Sequence, residues 1–236
     1  MTTILALRNK LTLVVLICLG SLSVINAQNK ITAFGSYGIS DIQVSGLGIL
    51  DLLDPYIKPI AQYTAGLQFE KEIGNHISFL TGAQYTSRGF TAKEDFNVNV
   101  FGLDLPIGAR IDTRLQYIEV PLMLKYSIGE KGIIPYVKAG ASTAYAVSGK
   151  FQPKIDAIIS WNLPAININL QNDMYNRLDV SAVVGAGVNI PTNETGSIQF
   201  DINYRHSLND MFLDKITDIR IKSHGLSVGV GYTVRF

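Results

Sequence analysis

The sequence is nearly free of cysteine and poor in charge. Its one cysteine, Cys18, lies close to the N-terminus, and charged residues make up 17% of the chain, against roughly 25% in a typical soluble domain. Beyond residue 27, a disulfide, a thiol nucleophile and a cysteine-bound metal are therefore excluded. The formal net charge of +1 gives no electrostatic case for nucleic acid or for a polybasic membrane patch.

A hydrophobic run long enough for a membrane-spanning helix is also missing. The longest run, residues 11–25, is shorter than the roughly 20 residues that a span requires. It follows Arg8 and Lys10 and precedes the sequence Ile-Asn-Ala at 25–27, so we interpret residues 1–27 as a signal peptide. Residues 28–236 then form one domain with 18 Lys and Arg and 19 Asp and Glu, a net charge of 18 − 19 = −1.

What the chain has in abundance is strict alternation of apolar and small polar residues. In the last segment, 224–236, Leu226, Val228, Val230 and Tyr232 share one face, while glycine, serine and threonine occupy the other. A period of two predicts a β-strand. The segment ends on Phe236, which is typical of the C-terminal strand of an outer-membrane barrel.

Eight segments of this kind alternate with short and long connections. We predict strands at 30–39, 61–73, 76–90, 113–128, 133–147, 177–190, 197–208 and 224–236, with long loops at 40–60, 91–112, 148–176 and 209–222. The even number and the alternating loop lengths predict an all-β fold, an eight-stranded antiparallel up-and-down transmembrane β-barrel. The expected location is the bacterial outer membrane.

A soluble eight-stranded barrel of the lipocalin type is the alternative, with its apolar face turned inward around a ligand. Eight strands enclose an interior that side chains only just fill. Glycines and charges of both signs fit that interior, whereas the bulky apolar face would overfill it. The sequence therefore favours the membrane barrel.

The charged residues of the polar face predict a network inside the barrel. Its expected members are Glu70, Arg88, Tyr117, Glu119, Lys125, Asp179, Asp201, Arg205 and Arg235. A single unpaired charge would be costly there, so we expect ion pairs. A packed polar plug is the favoured interpretation, and a narrow conduction path is the alternative.

The sequence has little that indicates catalysis. The three histidines lack metal-ligand spacing, and we expect no cofactor and no metal site. An enzyme of barrel form would need Ser and His side by side, as His224 could be with Ser207 or Ser223. We predict that the protein is not an enzyme.

The predicted loops are unusually apolar, and exposed apolar surface usually marks a contact. The candidate contact residues are Leu50, Leu53, Tyr56, Phe101, Ile158 and Trp161. Either these loops pack on one another above the membrane, or they bind a partner. Outer-membrane lipid and another outer-membrane or surface protein are the expected partners, and nucleic acid is not.

Several segments carry a family resemblance. QYIEVPLMLKY (116–126), PYVKAGAS (135–142), GLQFEKEIGNHISFLTGAQYTSRGF (66–90), DVSAVVGAGVNIP (179–191) and FDINYRHSLND (200–210) resemble the Bacteroidetes outer-membrane β-barrel family, also called porin-family or PorT-like. The resemblance implies an eight-stranded barrel in the outer membrane. We expect a structural or interaction role, with passage of small solutes or hydrophobic compounds, or a PorT-like secretion accessory role, as alternatives.

Overall fold

Eleven strands make up the chain in a computed structural model that describes residues 29–45, 56–100, 103–129, 132–156, 161–168, 170, 176–211 and 220–236. The eight long strands are β1 (Asn29–Ser45), β3 (Ile60–Glu72), β4 (Ile77–Val100), β5 (Leu103–Ser127), β6 (Ile134–Asp156), β9 (Leu178–Pro191), β10 (Gly196–Ser207) and β11 (Arg220–Arg235). Three two-residue strands, β2 (Ile57–Lys58), β7 (Trp161–Asn162) and β8 (Ile166–Asn167), pair with their longer neighbours. The described residues contain no helix long and apolar enough to cross a membrane.

The eight long strands form a closed antiparallel ring. Each pairs with the next long strand along the chain, and β1 closes the ring against β11, from Lys30 opposite Arg235 to Ser45 opposite Arg220. A closed ring leaves no unpaired strand edge, as a membrane barrel requires. The predicted fold class is confirmed.

The orientation of the two faces is also confirmed. On β5, Ile118, Leu122 and Leu124 are exposed, while Glu119 and Lys125, on the opposite face, are buried. The same inside-out pattern holds for the last strand, where Val228 and Val230 are exposed and Thr233 is buried. Apolar side chains therefore face lipid and polar side chains face the interior.

A ring of exposed tyrosines, the upper aromatic ring, marks the long-loop side of the lipid-facing surface. Its members are Tyr37, Tyr63, Tyr85, Tyr145 and Tyr204, one from each of five strands. On the short-turn side, Tyr126, Tyr232 and Phe236 are exposed. From Ile118 to Tyr126 a strand passes through nine residues, which suits a tilted strand that crosses the bilayer.

Two of the predicted long loops are wrong, because the strands continue through them. Residues 91–100 pair with 103–112 as an extension of β4 and β5, and β6 runs on to Asp156 where a loop was expected. Lys154 and Ile155 of β6 then pair with β7, and Lys150 and Phe151 pair with β8. A sheet therefore rises beyond the upper aromatic ring on one side of the barrel. We call it the sheet extension.

The short connections behave as predicted. Short connections link β3 to β4, β5 to β6 and β9 to β10, and the second of them contains Gly129 and Gly132, with φ of 102° and 70°. Glycine adopts such positive angles without the steric cost that a Cβ atom brings. All three turns lie at the same end of the barrel, opposite the sheet extension.

Candidate functional site

The interior of the barrel holds charged side chains from facing strands, in two layers. The layer nearer the short turns contains Glu70 of β3 and Lys125 of β5, whose carboxylate and ammonium lie 2.8 Å apart. Both side chains are almost completely buried, at 2% and 1% exposure. Lys30 of β1 lies 3.4 Å from the same carboxylate and 2.6 Å from Glu72. Because every charge has a partner of opposite sign, the burial penalty is offset.

Tyr136 of β6 joins this pair to a second one. Its ring lies 4.4 Å from the Lys125 ammonium, and its hydroxyl donates to Asp201 of β10 over 3.2 Å. Asp201 also pairs with Lys138 at 2.7 Å. The tyrosine fits because Gly187 stands opposite it, where a Cβ atom would lie only 2.5 Å from the tyrosine oxygen.

The layer nearer the long loops centres on Asp179 of β9. Its carboxylate pairs with Arg88 and lies 3.5 Å from Arg205, and it accepts a hydrogen bond from the Ser207 hydroxyl at 2.6 Å. The Arg88 guanidinium lies 3.9 Å from the centre of the Tyr117 ring, a cation–π contact. Three strands of the ring, β4, β9 and β10, are thus tied together inside the barrel.

Glu119 is held differently from the other interior carboxylates. It accepts hydrogen bonds from the hydroxyls of Thr86, at 3.1 Å, and Ser142. Its side chain is buried, and it borders a polar cavity of about 70 Å³ between the two layers. A cavity of this size holds a few water molecules. A buried apolar cluster of Leu80, Met123 and Val183 lies in the same part of the interior.

Apolar side chains close the long-loop end. Leu115, Tyr117, Ala146 and Leu170 form a buried cluster, against which Ile168 and Met211 pack. The covering segments are hydrogen-bonded to the barrel, since the Ile168 amide donates to Gly149 and the Met211 amide donates to Ile221, each over 2.9 Å. The short-turn end is more open, with a vestibule of about 470 Å³.

Eight of the nine predicted interior residues lie in or between these two layers. Arg235 does not, and that prediction is wrong, because its side chain is exposed at the rim of the vestibule, beyond the last buried residue, Thr233. Sequence reasoning missed Lys30, Tyr136 and Lys138. For Lys138 a signal was present, since it alternates with Gly140 and Ser142 on the polar face of its strand.

The geometry removes the catalytic pair considered from sequence. Ser207 and Ser223 face the interior with their hydroxyl oxygens 3.3 Å apart. His224 follows Ser223 directly and so points to the outside, where it is paired with His206 of β10. Serine and histidine therefore lie on opposite faces of the wall. In the part of the chain that the structure describes, no group of three His, Cys, Asp or Glu side chains is placed to hold a metal ion.

The sheet extension has two unlike faces. Cross-strand pairs such as Phe151 with Ile166 and Ile155 with Trp161 put apolar side chains on the face that continues the barrel interior. We call this the inner apolar face, and its exposed members are Ile111, Phe151, Ile155, Trp161 and Ile166. The opposite face continues the outer wall of the barrel and is polar.

Two of the six predicted loop contact residues are described. Trp161 is 66% exposed on the inner apolar face, and Tyr56 is 42% exposed just before β2. Leu50, Leu53, Phe101 and Ile158 lie outside the described residues, as does the predicted signal peptide.

An ion-pair cluster ties the polar face of the sheet extension together. Asp112 of β5 lies 2.8 Å from the Lys154 ammonium and 3.6 Å from the Arg110 guanidinium, and it accepts a hydrogen bond from the Thr91 hydroxyl at 2.9 Å. Burial raises the pKa of Asp112, but the Lys154 and Thr91 contacts outweigh it, so the pKa lies below its ordinary value of 3.8. The carboxylate is therefore charged at neutral pH.

Comparisons with known proteins agree with this architecture. A family model described as "Outer membrane protein beta-barrel domain" matches residues 26–213. A search of curated proteins gives no match.

Among solved structures, the chain is similar to Neisserial surface protein A (13% identity, 90% of this chain and 100% of that chain covered, TM-score 0.46). It is also similar to OprG from Pseudomonas aeruginosa (14%, 89% and 96%, TM-score 0.44) and to Ail of Yersinia pestis (17%, 89% and 99%, TM-score 0.34). At these identities and TM-scores, the likenesses carry no argument about this chain. The family match and the inside-out closed ring together lead to one conclusion: the chain belongs to the outer membrane protein β-barrel domain family and is a protein of the bacterial outer membrane.

Proposed function

We propose that this protein is a sealed barrel that anchors a contact surface outside the membrane, a structural or interaction role without catalysis. The observation that carries the proposal is the pair of charged layers across the interior. Glu70 with Lys125, Asp201 with Lys138 and Asp179 with Arg88 join strands that are not neighbours in the ring. An eight-stranded barrel has no room for an aqueous channel beside such side chains.

Ion conductance tests the seal. In planar bilayers, we expect the wild-type protein to carry no steady ionic current. Removing one buried pair in the double variant Arg88→Ala/Asp179→Ala is expected to produce measurable leak, whereas Tyr37→Ala on the lipid face is not. A steady open level in the wild type would contradict the sealed interior.

The inner apolar face supports the second half of the proposal. Five large apolar side chains are exposed together on one side of the sheet extension, with Trp161 the most exposed of them. In family members the long-loop end faces the cell exterior. Exposed apolar surface of this kind marks a contact, so we expect a partner protein in the outer membrane or on the cell surface.

Photo-crosslinking in native outer membranes tests this contact. With a photoreactive residue in place of Trp161, we expect one stoichiometric neighbour. The variant Phe151→Ser/Ile166→Ser should lose that neighbour. Gln152→Ser/Asn167→Ser, on the opposite face of the same strands, should retain it. Equal crosslinking in both variants would argue against the inner apolar face as the contact.

Passage of small solutes is a second candidate function. The vestibule of about 470 Å³ at the short-turn end favours it, because it brings solvent to within one layer of the interior cavity. A passage would need the layer of Glu70, Lys125 and Tyr136 to move aside. The conductance experiment separates this candidate from the sealed barrel.

We also propose that the chain is a Bacteroidetes, PorT-like member of its family. The segments 116–126 and 135–142 support this placement, since they carry the resemblance and form adjacent strands, β5 and β6. A PorT-like role would make the protein a secretion accessory. Deleting the gene and comparing the secreted proteins of the two strains tests that role, and an unchanged set would contradict it.

A further inference from the structure

Two of the three histidines of this chain are direct neighbours on the outer wall. His206 of β10 is paired with His224 of β11. Both point outward, because Ser207 and Ser223, the adjacent residues on the two strands, are buried toward the interior. The Cβ atoms of directly opposite residues on one face of a sheet lie roughly 4.5–5.5 Å apart. The two imidazoles therefore share one small area of the surface.

A carboxylate on the next strand continues this row. Asp41 of β1 is paired with His224 from the other side, and it also points outward, since Ser40 and Ile42 on either side of it are buried. The Ile42 amide donates to the Asp41 carboxylate over 2.8 Å, which restrains that side chain. His224 thus stands between a second imidazole and a carboxylate, on three adjacent strands.

The row lies at the upper edge of the lipid-facing surface, where water has access. On the bilayer side, the exposed Tyr204 and Leu226 are each two residues away from a histidine on the same strand. Two residues of a strand span roughly 6.5 Å, so the imidazoles lie just beyond the upper aromatic ring. Both histidines are half-buried. A dissolved ion can therefore reach them without crossing hydrocarbon.

A pair of imidazoles in this position has the chemistry of a transition-metal site. Imidazole is a good ligand for Zn²⁺, Ni²⁺ and Cu²⁺, and affinity within this series is highest for Cu²⁺. Bonds from Zn²⁺ to imidazole nitrogen are about 2.0–2.1 Å long, so one ion can bind between two imidazoles at the cross-strand separation. Water fills the remaining coordination positions, and no third protein ligand is required.

The charges beside the pair bear on a bound cation in opposite ways. Lys222 lies two residues beyond His224 on the same face of β11 and repels it. Asp41 is the direct neighbour of His224 and offsets that repulsion. A carboxylate next to a ligating histidine also fixes the orientation of the ring and makes it a stronger ligand.

We propose that His206 and His224 bind one divalent transition-metal ion of the Cu²⁺ and Zn²⁺ class, with Asp41 as a positioning residue for His224. The sequence-based expectation of no metal site used the spacing of histidines along the chain, which does not contain cross-strand neighbours. A bound ion would link β10 to β11, beside the pairing of β11 with β1 that closes the ring. The proposal depends neither on the sealed interior nor on the inner apolar face.

Copper titration of the full-length mature protein, without a histidine tag, in detergent micelles tests this site. By electron paramagnetic resonance, we expect one Cu²⁺ ion per chain, coupled to two imidazole nitrogens. His206→Gln and His224→Gln should each weaken binding by at least about 30-fold and leave coupling to no more than one imidazole. Asp41→Asn should weaken binding by about tenfold and retain coupling to both imidazoles.

His76→Gln is the matched control. It removes the third histidine, which borders the vestibule at the opposite end of the barrel, with its ring 6.0 Å from that of Tyr126. We expect this variant to bind Cu²⁺ within about twofold of wild type, because the two positions are far apart. Heat-modified gel mobility checks that every variant is folded.

Competition identifies the class of ion. Excess Zn²⁺ should displace Cu²⁺, whereas Ca²⁺ and Mg²⁺ should not, because they prefer oxygen ligands. Coupling to a single nitrogen in the wild type, displacement by Ca²⁺, or equal affinity of the wild type and the two histidine variants would overturn the proposal. An equal loss in His76→Gln would also overturn it, since any exposed imidazole would then bind the ion. Unchanged affinity in Asp41→Asn would contradict the role of Asp41.

Discussion

The barrel wall and the sheet extension are built from the same strands but have opposite polarity. Below the upper aromatic ring, β5 turns Ile118, Leu122 and Leu124 outward and Lys125 inward. Above it, the same strand turns Ile111 toward the inner side and Asp112 toward the outer side. The backbone pairing is continuous across the boundary. What changes at the upper aromatic ring is the medium that the outer face of the strand contacts, from hydrocarbon to water.

This comparison explains how a continuous strand can mark a membrane boundary. Lipid-facing positions carry apolar side chains because no water is present to solvate polar ones. Above the bilayer the outer face meets water, so charges move there and apolar residues move to the sheltered side. A β-bulge in β6, opposite the step from Gln116 to Tyr117, lets that strand change phase at the same level.

The largest expected effect is on the buried pairs of the barrel. Lys125→Met leaves Glu70 without its closest cation in an interior with little water, and we expect it to cost about 3–5 kcal/mol of unfolding free energy. Urea unfolding in lipid vesicles measures this.

The matched control for that substitution is Leu124→Met, the next residue toward the N-terminus, which faces lipid. It should cost less than about 1.5 kcal/mol. The double variant Glu70→Gln/Lys125→Met should recover much of the loss, because no unpaired charge remains. Equal destabilisation by Lys125→Met and Leu124→Met would show that the interior pair is not structurally important.

A lysine placed outward in each region tests the reversal of polarity directly. Leu122→Lys, midway between Ile118 and Tyr126, puts a charge into hydrocarbon and should cost about 2–4 kcal/mol. Gln152→Lys, on the outer face of the sheet extension opposite Asp112, should change stability by less than about 0.5 kcal/mol. The same unfolding measurement applies, and similar costs at the two positions would break the comparison.

The smallest effect concerns pH and is confined to the sheet extension. Because the pKa of Asp112 is lower in the folded state, its ion pairs stabilise the fold at pH values above 3.8. That contribution is lost as pH falls through the lowered pKa. Asp112→Asn should therefore destabilise the sheet extension at pH 7 and match wild type at strongly acidic pH. Amide hydrogen exchange of residues 108–113 measures this, and a pH-independent difference would contradict it.

The sheet extension is also where sequence reasoning failed most. Alternation continues through Leu103, Leu105 and Ile107, although Pro106 and Gly108 lie in the same stretch, and the predicted strand began only at residue 113. Proline is tolerated where a strand leaves the regular ladder. Apolar residues occupy even-numbered positions of β5 after Gln116 and odd-numbered positions before it. This change in the alternation indicates where the strand leaves the membrane.

Local patterning was sufficient for the barrel itself. Period-two alternation and the short turns predicted the number of strands, the antiparallel pairing of consecutive strands and the face that meets lipid, because each depends on residues close together in sequence. The partners of the interior charges were decided only by tertiary structure. Glu70 meets Lys125, 55 residues away, because strand register and ring closure set those positions.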